Sequence, residues 1–252
     1  MKIIFSRKGL DSSIQGGRGF SPIVDGQPIS IPIPARYRSS ETTYGDLGFG
    51  KLVAQATKGR LSGTGFCHDD PMFEDRRCAL GQTGASQSHL ANQGVGTGDV
   101  FLFFGLFADA GGTDKHHRIF GCLKVEEVIA AGPRPVPDAR LNCFSRPYPH
   151  ISGRWKPNNT IYLGSGTTAL DDSDELRLSV PGRRRGCWRV PPWLRHAGLS
   201  YHPRADSWNS DGTLNSASRG QEFVSHISDI PEAAHWLDRI LAAISANGVA
   251  KS

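Results

Sequence analysis

His68 and Asp70 stand two residues apart in the segment Cys67-His68-Asp69-Asp70-Pro71. In an extended backbone the side chains at i and i+2 project to the same side, so an imidazole and a carboxylate meet there as neighbouring ligands of a metal ion do. Two donors do not make a centre, and Asp70-Pro71 alone reads as a turn. A further imidazole is required; His89 is nearest in sequence, and His117, His150 and His202 are alternatives. Two histidines and one carboxylate suit a non-haem Fe(II) centre with open positions, while a hydrolytic Zn(II) site uses the same atoms.

A second polar group follows. Gln82, Ser86, His89 and Gln93 recur at i, i+4, i+7 and i+11, which places them on one face of a short helix. Neutral amides, a hydroxyl and an imidazole, without Lys or Glu, make a poor solubilising surface, so this face is expected to line a pocket. Gln82 and Gln93 would hold a base there, and a buried His89 can act as general acid or base near neutral pH. A third group, Arg7, Lys8 and Asp11, comes directly after an opening strand at 2–6. Arg7 and Lys8 suit a phosphate and Asp11 an acid-base role, although an Arg/Asp pair equally clamps a loop. Leu199-Ser200-Tyr201-His202 reads as a late strand delivering His202, and Glu222 in Gln221-Glu222-Phe223-Val224 adds a carboxylate.

These groups need a frame. Residues 100–107 are apolar on both alternating faces, the pattern of a strand covered on two sides. Gly94 is placed to end the preceding helix in a left-handed conformation, and Gly96-Thr97-Gly98-Asp99 is turn chemistry. Residues 118–125 alternate and form the antiparallel partner across a long hairpin loop, with Glu126-Glu127 breaking the pattern as a bulge would. Ile29, Ile31 and Ile33 alternate with Ser30, Pro32 and Pro34, which predicts an edge strand. Further short strands are expected at 160–163 and 176–180, a short helix at 51–57, and a closing helix capped by Asp229 and Glu232 with its stripe Ala233, Trp236, Leu237, Ile240, Leu241 and Ile244. The aromatic and basic loop 142–156 has residues fit to stack a base, but aromatics in irregular segments more often anchor the loop. Arg183-Arg184-Arg185 is the densest positive spot, suited to phosphates or to a solvated loop.

A chain of 252 residues can bury a sizeable core as one domain, and its 30 Gly and 16 Pro predict many turns and short strands. The net charge of +5 is compatible with a phosphate-bearing partner without demanding one. Five cysteines with no CxxC spacing argue against a disulfide framework or a zinc ribbon and fit a reducing cytoplasm. No stretch approaches the roughly 20 apolar residues of a membrane span, and the apolar opening is too short for a signal peptide.

Several stretches in order, KIIFSRKGLDSS, HDDP, GQTGASQSHLANQGVG running into GDVFLFFG, RIFGCLKV, NNTIY, LSYH and QEFV, resemble the third type of nucleotide modification associated domain. That family is grouped with systems, often phage-encoded, that modify bases in DNA, so the resemblance implies a nucleotide or nucleic-acid partner, with DNA favoured. Carried over by position, it adds Ser12, Asn92 and Gln221 to the polar residues already named. The family pattern more often has an apolar residue where Asp69 stands, which leaves Asp69 and Asp70 both open as the acting carboxylate. GTGDVFLFFGLF followed by RIFGCLKVEEVI is also similar to PUA-like barrels, including modified-base readers of the EVE and YTH type.

The resulting expectation is an α+β protein built on a strongly curved, mainly antiparallel, PUA-like sheet with flanking helices. Its site has His68, Asp70 and His202 on a metal, Fe(II) or Zn(II). Asp11, His89, Arg7 and Glu222 are the catalytic set, and Lys8, Ser12, Gln82, Ser86, Asn92 and Gln93 bind substrate. The alternative is a PUA-like binder of a modified base that performs no reaction.

Overall fold

The computed structural model describes residues 1–11, 19–35, 40–109, 111–217 and 222–246; Ser12 and Gln221 lie outside them. In chain order the first elements are β1 (Lys2–Arg7), β2 (Ser21–Val24), β3 (Gln27–Pro28), β4 (Ile33–Pro34), α1 (Gly50–Ala56), β5 (Cys67–His68), β6 (Met72–Glu74), β7 (Arg77–Gln82) and α2 (Gly84–Asn92). Then come β8 (Val100–Ala108), β9 (His116–Ala130), β10 (Thr160–Thr168), β11 (Cys187–Trp188), α3 (Pro192–Ala197), β12 (Leu214–Asn215), β13 (Glu222–His226) and α4 (Pro231–Ser245).

β8 is buried along its whole length. Its alternating side chains feed two different layers: Val100, Leu102 and Phe104 pack with Trp188 and with Leu237 and Ile240 of α4, whereas Phe101, Phe103 and Phe107 pack with Leu80, Leu90 and Tyr162. This is why the strand reads as apolar on both faces. α4 contributes the clearest amphipathic stripe, and burying each of its large aliphatic side chains favours folding by about 1.5–3 kcal/mol. β9 pairs antiparallel with β8 and with β10, and the register against β10 skips Glu126, the expected bulge.

Among the described residues the main sheet is nine-stranded, with the order β13-β1-β8-β9-β10-β7-β6 and with β2 and β3 attached at the end of β8. The α+β class, the mostly antiparallel pairing and the flanking helices are as expected. The strongly curved PUA-like closure is not seen: β13 and β6 are separate edges, and β1 and β2 each run parallel to β8. A parallel pair requires a long crossover connection, and the chain between β1 and β8 supplies it, so this part of the sheet is not a simple barrel meander. β1 lies between β8 and β13 in a register that sets Ser6 opposite Glu222 and Arg7 opposite Phe104.

Four local expectations need correction. The edge strand expected over 29–34 is confined to Ile33–Pro34: Pro32 has no N–H to give a ladder, and the Ile29 and Ile31 amides donate to the Pro22 carbonyl and Ser21 Oγ instead. Residues 176–180 form no strand; a 3-10 turn at Asp174–Leu176 leads to two isolated bridges, Arg177 with Arg118 and Ser179 with Trp188. His202 sits in a turn rather than a strand, since Tyr201 adopts a positive φ of 67°. α4 starts at Pro231, whose fixed φ suits a first helical position, so Ile230 is the N-cap and no Asp229/Glu232 capping box forms. Among the described residues no helix is long and apolar enough to cross a membrane.

Candidate metal centre and substrate cleft

Three ligand-type side chains meet where β5 runs into the following loop, β7 ends, and a 3-10 turn at Pro149–Ile151 crosses over them. His68, Asp70 and His150 offer atoms that all lie within 4.8 Å of one another. Among the described residues this is the one group of three or more His, Cys, Asp or Glu side chains so placed.

Asp70 and His150 are held from behind. Asp70 Oδ1 accepts from the Gly81 amide at 2.8 Å and from the Tyr148 hydroxyl at 2.6 Å, which leaves Oδ2 facing His68 Nε2 at 3.9 Å. His150 Nδ1 lies 2.7 Å from Asn159 Oδ1, and the Asn159 amide donates back to the His150 carbonyl at 3.0 Å. That pairing puts the hydrogen on Nδ1 and leaves Nε2 as the lone-pair donor. Trp155 stacks on the His150 ring at 4.0 Å and also touches His68. Gly81 is required here: a Cβ at this position would come within 2.1 Å of the His150 ring.

The electrostatics match this geometry. Burial pushes the His68 pKa down to about 4 despite the opposing Asp70 carboxylate, and burial lowers His150 as well. Both imidazoles are therefore neutral at neutral pH, the form in which they bind metals. The Asp70 side chain is only 3% exposed and that of His68 18%. Two ligands bonded to one ion at about 2.0–2.2 Å stand roughly 3–3.5 Å apart, so binding would draw His68 and Asp70 slightly together. Asp69, the other carboxylate left open by the sequence, turns away and accepts two hydrogen bonds from Arg146, each 3.2 Å.

A cleft of about 390 Å³ opens beside this group, lined among others by Lys8, Asp11, Gln82, Ser86, His150 and Trp155. The histidine-aspartate loop and the first part of the polar stripe thus share one chamber. The stripe is not continuous, however. Gln82 ends β7, Thr83 is extended at φ −150° and ψ 163°, and only then does α2 begin. Beyond Ser86 the stripe leaves the cleft: His89 Nε2 lies 3.0 Å from Ser200 Oγ with its ring against Tyr201, Asn92 is exposed, and Gln93 pairs with His226 at 3.2 Å. His202 stays apart from the cluster. Its Nδ1 faces the Ser200 carbonyl at 3.0 Å and its Nε2 accepts from the Ala217 amide at 2.8 Å, so neither nitrogen is left for an ion.

Glu222 lies beneath the cleft, with its side chain 1% exposed. Its Oε1 accepts from Gln82 Nε2 at 2.6 Å and from Lys8 Nζ at 3.2 Å. Burial raises the Glu222 pKa, and the Lys8 charge opposes that rise. The carboxylate therefore aims Lys8 and Gln82 at the cleft rather than entering it. Arg7 lies at the cleft edge: it donates to the Ala217 carbonyl at 2.8 Å, stands over the Phe104 ring and interacts with Asp11.

His117 lies behind Arg7, accepting a hydrogen bond on Nδ1 from the Trp188 indole at 3.0 Å. Burial, aided by the charges of Arg7 and Arg185, pushes its pKa down to about 3. Below the ordinary value near 6.5 the unfolded chain takes up a proton that the folded protein refuses until about pH 3, so this histidine lowers stability progressively as pH falls through that window. Denaturant unfolding of wild type and His117→Gln between pH 7 and 5 checks this. The wild type should lose up to about 1.4 kcal/mol more per pH unit than the variant, and parallel pH profiles would refute the assignment.

The residues that sequence reasoning ranked too low belong to the 142–156 loop and its surroundings. His150 appears there only as one alternative ligand, and Tyr148, Asn159 and Gly81 carry no sequence signal for their supporting roles. Phe144 and Tyr148 do anchor the loop in an apolar cluster with Ile161 and Leu163, while His150 and Trp155 face the cleft.

Neither the curated proteins nor the solved structures provide a match to the chain. A family model described as nucleotide modification associated domain 3 matches residues 2–226, a stretch that includes the His68, Asp70 and His150 cluster, the cleft and the Lys8–Glu222 pair. The chain therefore belongs to the nucleotide modification associated domain 3 family.

Proposed function

We propose that the protein is a metal-dependent enzyme that modifies a nucleobase or nucleotide, with His68, Asp70 and His150 as the metal ligands and the adjoining cleft as the substrate site. The observation that carries this reading is the convergence of two neutral imidazoles and a buried carboxylate, with Asp70 and His150 oriented by outer hydrogen bonds and His68 against the rings of His150 and Trp155. Two histidines and one carboxylate suit Fe(II), with open positions for oxygen chemistry, or Zn(II), with a polarised water. The chain's own residues bind and orient: Trp155 offers a ring face to a base, Gln82 and Ser86 offer hydrogen bonds, and Asp11 is the cleft carboxylate placed to accept or return a proton. DNA is the favoured source of the base, on the strength of the family's association with base modification.

Metal analysis of protein purified without an affinity tag, followed by titration with Fe(II), Zn(II) and Co(II), tests the proposal. One equivalent of tightly held metal is expected; protein that takes up none of the three overturns it. The half-buried Trp155 face also fits a non-catalytic binder of a modified base. His68→Ala separates the two, because an enzyme keeps binding and loses turnover, whereas a binder never turns over.

A further inference from the structure

The substrate cleft has a neighbour. Arg7 and Asp11 line both cavities, and beyond them a second cavity of about 360 Å³ is lined by His117, Arg184, Arg185 and Ser216. The proposed reaction makes no use of it. Among the described residues Arg7, Arg184 and Arg185 face a single carboxylate there, so this wall is net positive. The arginines are also close enough to feel one another: burial lowers the Arg7 pKa, with Asp11 opposing and Arg185 adding to the fall, and both arginines add to burial in lowering that of His117.

The donors there are held in position. Arg7 is fixed by the Ala217 carbonyl and by the faces of Phe104 and Phe223, and Arg184 by Asn215 Oδ1 at 3.1 Å. With Nδ1 accepting from the Trp188 indole, the neutral His117 ring carries its hydrogen on Nε2. Ser216 Oγ is buried and has no hydrogen-bond partner among the described residues. A buried hydroxyl without a partner costs free energy unless a ligand meets it, and planar guanidinium groups match the oxygens of a phosphate.

We propose that this second cavity is a phosphate subsite, holding a phosphate ester of the molecule whose base or sugar occupies the cleft beside His68, Asp70 and His150. The shared wall of Arg7 and Asp11 lets one ligand occupy both cavities. The identity of that ligand rests on the function proposed above; the phosphate chemistry rests on the second cavity alone.

The test is calorimetric titration of the metal-stripped full chain with inorganic phosphate, the four deoxynucleosides, their 5′-monophosphates and a short mixed-sequence single-stranded oligodeoxynucleotide. It uses wild type, Arg185→Gln, Arg184→Gln and Ser216→Ala. Arg184 and Arg185 are exposed, so their substitution spares the core. Phosphate-bearing ligands should bind about tenfold or more tightly than nucleosides, the worth of a charge-assisted hydrogen bond, and Arg185→Gln should remove most of that advantage without changing nucleoside affinity. An advantage seen with the monophosphates identifies a free nucleotide. One seen only with the oligonucleotide, with a salt slope reduced by about one in Arg185→Gln, identifies a backbone phosphate. Equal binding of nucleoside and phosphate forms, no binding of any phosphate-bearing ligand, or an advantage that survives all three substitutions overturns the subsite. Because the metal is stripped, these results are independent of whether His68, Asp70 and His150 bind an ion.

Discussion

Asp70→Asn and His150→Ala are each expected to weaken metal affinity by more than about a hundredfold, beyond the 10–100-fold typical when an outer partner of a ligand is lost. Asp70→Asn removes the negative charge while keeping nearly the same shape, and His150→Ala removes an imidazole whose Nδ1 hydrogen is already committed to Asn159. Competition with a chromophoric chelator reads the affinity, and thermal unfolding of the metal-free proteins controls for folding. Tyr148→Phe and Asn159→Ala should fall in the milder range, because they free the ligands without deleting them. Gly81→Ala is the sharpest companion. It keeps every ligand, yet its Cβ would occupy space held by the His150 ring, so metal affinity should fall as though the ligand itself were missing. Unchanged affinity in both Asp70→Asn and His150→Ala would remove the metal centre from consideration.

Glu222→Ala is expected to cost about 3–5 kcal/mol of stability, because it leaves the Lys8 ammonium buried without its carboxylate. The Lys8 side chain is only 9% exposed, and Gln82 would lose its short hydrogen bond in the same step. Glu222→Gln keeps the volume and an acceptor oxygen and should cost less. Lys8→Met with Glu222→Gln, which leaves no unpaired charge, should recover most of the loss. Urea denaturation of the four proteins measures this; a loss below about 1 kcal/mol in Glu222→Ala would mean that the pair is solvated and does not support the cleft floor.

The sequence shows the frame of the site better than its membership. β8 is legible because its two apolar faces leave no other reading, and α4 because its stripe keeps helical phase. His68 and Asp70 are legible as a pair because alternation in an extended segment is a local property. The side chain that joins them is not local: His150 arrives on an irregular loop whose path is set by Tyr148 and Asn159, and no spacing encodes that path. The polar stripe misleads for a different reason. Gln82 and Ser86 do reach the same cleft, but across an extended Thr83 that resets the helical phase, so His89 and Gln93 are carried to other partners. His202 is lost to the centre by a turn at Tyr201, whose positive φ its side chain gives no reason to expect.

The placement of β1 between β8 and β13 has a consequence for biosynthesis. The cleft floor needs Lys8 from the start of the chain and Glu222 from near the end of the family-matched stretch, bridged through one strand pairing. Contacts so distant in sequence close late, after the intervening chain has been ordered. A ribosome-bound chain that has not yet emerged past His226 would therefore present the histidine-aspartate loop with Lys8 and Gln82 unanchored, and the chamber would be completed only once β13 has paired with β1.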